Sequence, residues 1–183
     1  MKKEILTHLS YLVVFCVIVI LLKGWIGFNL DTAKLVGLFL LGGVVGTALP
    51  DIDHLIYIYL LRPQDLTSQR VNYLMAKHEI WQVFELMAST REERRQLIFH
   101  TVHFQVIFWI LAFLVISSSA SVFGAGLVLA FGLHLIVDQL LDLLQLDHLN
   151  NWFRAWNIVL EKEKYVFYWL GNVIVLFVLA FVV

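Results

Sequence analysis

Five runs of apolar residues, at about 9–28, 33–49, 97–116, 121–142 and 165–183, dominate this chain of 183 residues. A helix needs roughly 20 apolar residues to cross the hydrocarbon core of a bilayer, and each run reaches or approaches that length. A soluble domain of this size could not hide so much apolar side chain, because hydrophobic residues make up 61% of the sequence and charged ones 15%. Lipid is therefore the solvent for most of the surface. The expected fold class is all-α: a polytopic helical membrane protein with about five transmembrane helices. No internal repeat, linker or low-complexity tract divides it, so residues 1–183 are read as a single membrane domain.

Lys2 and Lys3 precede the first run, but Lys23 and Trp25 follow it where the small residues of a cleavage site would stand. That pattern reads as an uncleaved anchor rather than a signal peptide. Cys16, the sole cysteine, sits in the middle of this run, so the chain can form neither an internal disulfide nor a thiolate metal cage. Any metal site must use histidines and carboxylates. The net charge of -1 comes without a basic patch of the nucleic-acid kind, and no nucleic-acid partner is expected.

Short loops on the cytoplasmic side of a membrane collect lysine and arginine. With a cytoplasmic N-terminus, the inside segments carry Lys2, Lys3, Arg62, Arg70, Lys77, Arg91, Arg94, Arg95, Arg154, Lys162 and Lys164, and the outside keeps Lys23 and Lys34. The asymmetry assigns the N-terminus to the cytoplasm. The segment of about 62–96 is then a cytoplasmic or interfacial insertion. Its residues Val71, Leu74, Met75, Ile80, Trp81, Phe84 and Met87 recur at helical spacing and predict an amphipathic interfacial helix near 66–88. Ser89 and Thr90 stand before Glu92 and Glu93 in a capping-box arrangement, which predicts that the third span begins there. Gly42, Gly43 and Gly46 give the second span a small-residue face for close helix approach.

Ionisable side chains at membrane depth cost several kcal/mol unless paired or hydrated, so they are candidates for function. His134 and Asp138 lie four residues apart in the fourth run, on one helix face and one turn from each other, and Asp142 continues the stripe. Such a pair can hold an ion, or can close a polar contact between helices without one. The end of the second run reads Ala48-Leu49-Pro50-Asp51-Ile52-Asp53-His54, where proline breaks the helix and three potential ligands follow at once. Carboxylate oxygens beside imidazole suit Zn, Mn or Fe, whereas a plain helix terminus with solvated charges is the simpler alternative. His100 and His103 open the third run at a spacing of three, and His8 opens the first after Thr7. With alternating spans all of these residues converge on one side. At a rise of about 1.5 Å per residue, Asp51 lies near the boundary, His100 and Asp138 roughly 5 Å inside, and His103 and His134 about 10 Å inside.

These residues resemble the family of prokaryotic inner-membrane proteins described as membrane-bound metal-dependent hydrolases, whose members carry a Leu-Pro-Asp-x-Asp-His segment after an early span. Leu49-Pro50-Asp51-Ile52-Asp53-His54 matches that segment, Thr7-His8 matches an early histidine, and His134 with Asp138 matches a later His-x-x-x-Asp. The family's middle motif usually reads His-Arg-Gly-x-Thr-His-Ser. This chain has Phe99-His100-Thr101-Val102-His103 instead, and either histidine can stand for the family's last one. A more distant similarity links the same order of residues to the all-helical superfamily of zinc-dependent phospholipases C and single-strand nucleases.

The resemblance implies a multi-pass protein of the inner membrane that hydrolyses a phosphoester or lipid-type substrate at the cytoplasmic interface. Its cofactor would be a divalent metal, Zn before Mn or Fe, in two or more ions. The candidate ligands are His8, Asp51, Asp53, His54, His100, His103, His134 and Asp138, with Asp53 and His103 as candidate catalytic residues. Two ions suit phosphoester chemistry because they stabilise the attacking and leaving oxygens together. No nucleophile elbow, phosphate loop or Cys-His pair supports a covalent route. The rival expectation is a protein without catalysis, either a metal-binding carrier or a membrane protein whose polar cluster locks its helices together.

Overall fold

The computed structural model describes residues 2–26, 29–90, 93, 96–118 and 121–183, without the side chains of residues 2–5. Of the residues singled out from the sequence, Arg91, Glu92, Arg94, Arg95 and the side chains of Lys2 and Lys3 lie outside the described residues. The chain is all-helical, at 81% helix, with no strand among the described residues. Helices long and apolar enough to cross a membrane occupy Leu30–Leu61, Val122–Leu146 and Lys162–Val182, and shorter apolar helices run over Leu6–Leu22 and Val102–Ser118.

The long helix α7 (Val122–Leu146) is the axis of the fold. Within its apolar window 67% is buried, against 28% for each of the other two candidate spans. It contacts α1 (Lys2–Leu22), α2 (Leu30–Ala48), α6 (Val102–Ser118) and α9 (Lys162–Val182). Ser121 caps its start by accepting a hydrogen bond from the Gly124 N–H at 3.0 Å, and Asp147 ends it in the left-handed region at φ 62°.

Glycine sets the α2–α7 distance. A methyl group added at Gly42 would stand 2.1 Å from the Phe123 carbonyl oxygen, one at Gly46 2.1 Å from that of Leu127, and one at Gly126 2.2 Å from that of Phe39. Backbone meets backbone here, because small residues let the two helices approach to van der Waals contact. This close approach brings the end of α2 beside the middle of α7.

Pro50 does not end the second candidate span. Leu49 and Asp51 keep right-handed helical angles. The N–H groups of Ile52, Asp53 and His54 bond to the carbonyls of Leu49, Pro50 and Asp51, each at 3.1 Å. These tight three-residue turns bridge the N–H that proline lacks. The helix resumes as α3 (Ile52–Ile56) and a π-helical turn over Tyr57–Leu61. Asp51, Asp53 and His54 therefore sit within the helical segment Leu30–Leu61 instead of beyond its end.

Two further expectations are corrected. The single amphipathic helix near 66–88 is a pair, α4 (Leu66–Ala76) and α5 (Ile80–Ser89), because His78 turns the backbone at φ 58° between them. The third apolar helix does not start near Ser89: the hydroxyls of Ser89 and Thr90 both donate back to the Leu86 carbonyl. Glu93 instead accepts from Thr67. Residues 96–101 are non-helical, and α6 begins at Val102. After α7 come a short α8 (Asn150–Phe153) and the turn leading to α9.

Candidate metal centre

Asp138, on the buried face of α7, is the point where the polar residues meet. Its Oδ1 lies 3.4 Å from Nε2 of His8 on α1. Its Oδ2 lies 3.2 Å from Nε2 of His134, one turn earlier on the same helix. His8, His134 and Asp138 each offer a ligand atom within 4.8 Å of the others, so this group could hold a metal ion. Ligand atoms on a tetrahedral zinc at about 2.0–2.1 Å stand roughly 3.3–3.4 Å apart, close to both observed separations. The His8 and His134 rings stack, with centroids 4.2 Å apart and planes at 18°.

His100 joins this group from the loop before α6. Its Nε2 is 2.9 Å from Oδ2 of Asp138 and its Nδ1 is 3.1 Å from Oδ2 of Asp53. Asp53 is wholly buried. It accepts from the N–H of Ile98 at 2.9 Å, of Phe99 at 2.6 Å and of His100 at 3.4 Å. One carboxylate thus fixes both the loop backbone and the ring of His100. A carboxylate that takes one ring N–H and leaves the other nitrogen free to ligate is the usual support of a metal-bound histidine. Without a metal, hydrogen bonds from His100 to both carboxylates would require the ring to carry both protons.

The remaining residues surround this centre. Asp51 is exposed at 64% of its side chain and reaches His134 Nε2 at 3.7 Å. His54, half-buried on α3, stacks on His100 at 5.4 Å between centroids. His103 stands apart: it is exposed on the first turn of α6, edge-on to Trp156 at 4.8 Å. The structure therefore groups His8, Asp51, Asp53, His54, His100, His134 and Asp138, and leaves His103 outside the group.

Charge fits a cation here. The carboxylates of Asp51, Asp53 and Asp138 gather among imidazoles, and Asp53 and Asp138 are buried. Buried carboxylates need a compensating positive charge, which a divalent ion supplies without further protons on the rings. The Nδ1 atoms of His8 and His134 are buried with no hydrogen-bond partner among the described residues. Their other nitrogens are then the ones turned to Asp138.

Several participants escaped the sequence reading. Trp152 of α8 donates its indole N–H to Asp142 at 2.8 Å and lies 5.4 Å from the His100 ring, so Asp142 holds a lid of indole against the centre. Deeper in the bundle, Gln139 and Tyr168 both donate to the Gln105 side-chain carbonyl, the first at 2.6 Å. Trp109 donates to Asn172 at 2.8 Å. These contacts tie α6, α7 and α9 together behind the centre. Glutamine at 105 and 139 is a visible signal for such a layer, since an amide inside an apolar run needs a partner. Trp152 gave none, because only the tertiary fold returns it to α7. Comparison with protein-family models, curated proteins and solved structures finds no match to this chain.

Proposed function

We propose that this chain is a membrane-embedded metal-dependent hydrolase acting on a phosphoester or lipid-type substrate at the cytoplasmic face of the inner membrane. It would cross the bilayer with five spans, its N-terminus in the cytoplasm. The convergence of His8, His134 and Asp138 carries this reading, and the Asp53–His100 contact adds the outer support that metal ligands need. The resemblance in the Leu49–His54 segment and in His134 with Asp138 gives the reaction class.

A bound divalent ion, zinc first, would lower the pKa of a water and polarise the substrate oxygen. The residues themselves divide the work. His8, His134 and Asp138 would hold the ion, with His100 as a further nitrogen. Asp53 orients His100. Asp51, the exposed carboxylate beside His134, would take the proton from an incoming water.

A second reading has its own observation: the His100 bridge between Asp53 and Asp138 also closes the polar group as a helix lock with no metal. The purified full-length chain, loaded with Zn, Mn or Fe and screened against phosphoesters and phospholipids, separates them. Metal-dependent turnover that disappears in His134→Ala supports the hydrolase. Bound metal without turnover leaves a metal carrier, and no bound metal leaves the lock.

A further inference from the structure

Helix α5 has two apolar faces, one packed against its neighbours and one largely exposed. Val83, Leu86 and Met87 turn inward and pack with Tyr57, Ile58, Val71 and Leu97. Ile80, Trp81 and Phe84 turn outward, exposed at 41%, 71% and 40%. At about 100° per residue the outward row occupies roughly a quarter of the helix, next to the inward row, while Gln82, Glu85 and Ser89 form a narrow polar stripe opposite. Water is a poor solvent for such a row of large apolar side chains.

We infer that this outer face of α5 is seated in the boundary between headgroups and acyl chains of the lipid leaflet, making the α4–α5 pair an in-plane membrane anchor. Position argues for lipid. The inner face of α5 packs on Tyr57 and Ile58, which belong to the last turns of the candidate span Leu30–Leu61, so α5 lies in side-chain contact with the segment that leaves the bilayer. Tyr59, Leu60 and Leu61 of that segment are likewise exposed. An indole at the edge of such a face is the side chain that membrane interfaces favour.

The chemistry of the seat is apolar. Over residues 62–96, Arg62, Arg70, Lys77, Arg91, Arg94 and Arg95 stand against Asp65, Glu79, Glu85, Glu92 and Glu93, which leaves a net charge of only +1. Attraction to anionic lipid therefore contributes little, and seating persists in uncharged lipid and at high salt. The anchor also steadies the loop that carries His100. Leu97 packs into its core, and Arg62 donates to Gln96 at 2.6 Å.

Trp81 reports the seat directly. The full-length chain and its W81F variant are reconstituted in phosphatidylcholine vesicles, with and without lipid brominated along the acyl chain, and the difference in emission isolates Trp81. The expected result is a blue-shifted emission that loses about half its intensity to brominated lipid and little to aqueous acrylamide, in low or high salt alike. Quenching by acrylamide with none by brominated lipid overturns the inference. Protection from both quenchers, rising with protein density in the vesicle, overturns it as well and assigns the face to a second copy. Phe84→Trp in the W81F background repeats the measurement one turn along and must give the same answer.

Discussion

The Nδ1 of His100 lies 3.1 Å from Oδ2 of Asp53, so a residue just past Pro50 dictates how a histidine almost fifty positions later faces Asp138. The backbone N–H groups of Ile98 and Phe99 bind the same carboxylate. Asp53 thereby acts through His100.

Asp53→Asn keeps the size of the side chain but removes the charge that holds the Nδ1 proton of His100. Metal affinity should fall about 10–100-fold, as with other outer supports of metal ligands, while membrane insertion is unchanged. Titration of the detergent-purified variant with a zinc-competing chelator measures this. Unchanged affinity would detach Asp53 from the centre.

His100 and His103 should behave differently although only three positions separate them. His100→Ala removes a nitrogen 2.9 Å from Asp138 and should weaken metal binding severely. His103→Ala removes a ring that touches Trp156 and should leave binding as it was. The same chelator titration on both variants checks the pair, and a stronger effect at His103 would reverse the assignment.

The α2–α7 contact should tolerate no added methyl group. Gly46→Ala forces a Cβ to within 2.1 Å of a backbone oxygen that no side-chain rotation can move. A loss of about 1–3 kcal/mol is expected from overpacking. Reversible unfolding in mixed detergent micelles measures it. Gly37→Ala, where nothing lies within 4 Å, is the control and should be neutral or slightly stabilising.

Much of this was legible in the sequence because helices have a fixed period. His134 and Asp138 follow from four-residue spacing, the apolar runs follow from length, and Gly42 and Gly46 announced a close approach. What was hidden depends on geometry that spacing does not encode. The turns after Pro50 bury Asp53 and expose Asp51, two positions apart, which no periodicity predicts. Helical spacing could not separate His100 from His103, because the helix begins only at Val102, between them. The break at His78 uses a left-handed residue with neither glycine nor proline to mark it. Gly126, the partner of the glycine face, and Trp152, the lid, declare themselves only when α7 is packed.

The geometry around Asp138 calls for a bound metal ion. Elemental analysis of the purified full-length chain, beside Asp138→Asn prepared identically, tests it most directly. We predict that the unmodified chain retains zinc, or manganese or iron, in stoichiometric amount and loses thermal stability in chelator, and that the variant holds none. An unmodified chain that binds no metal and is indifferent to chelator would rule out a metal centre at Asp138.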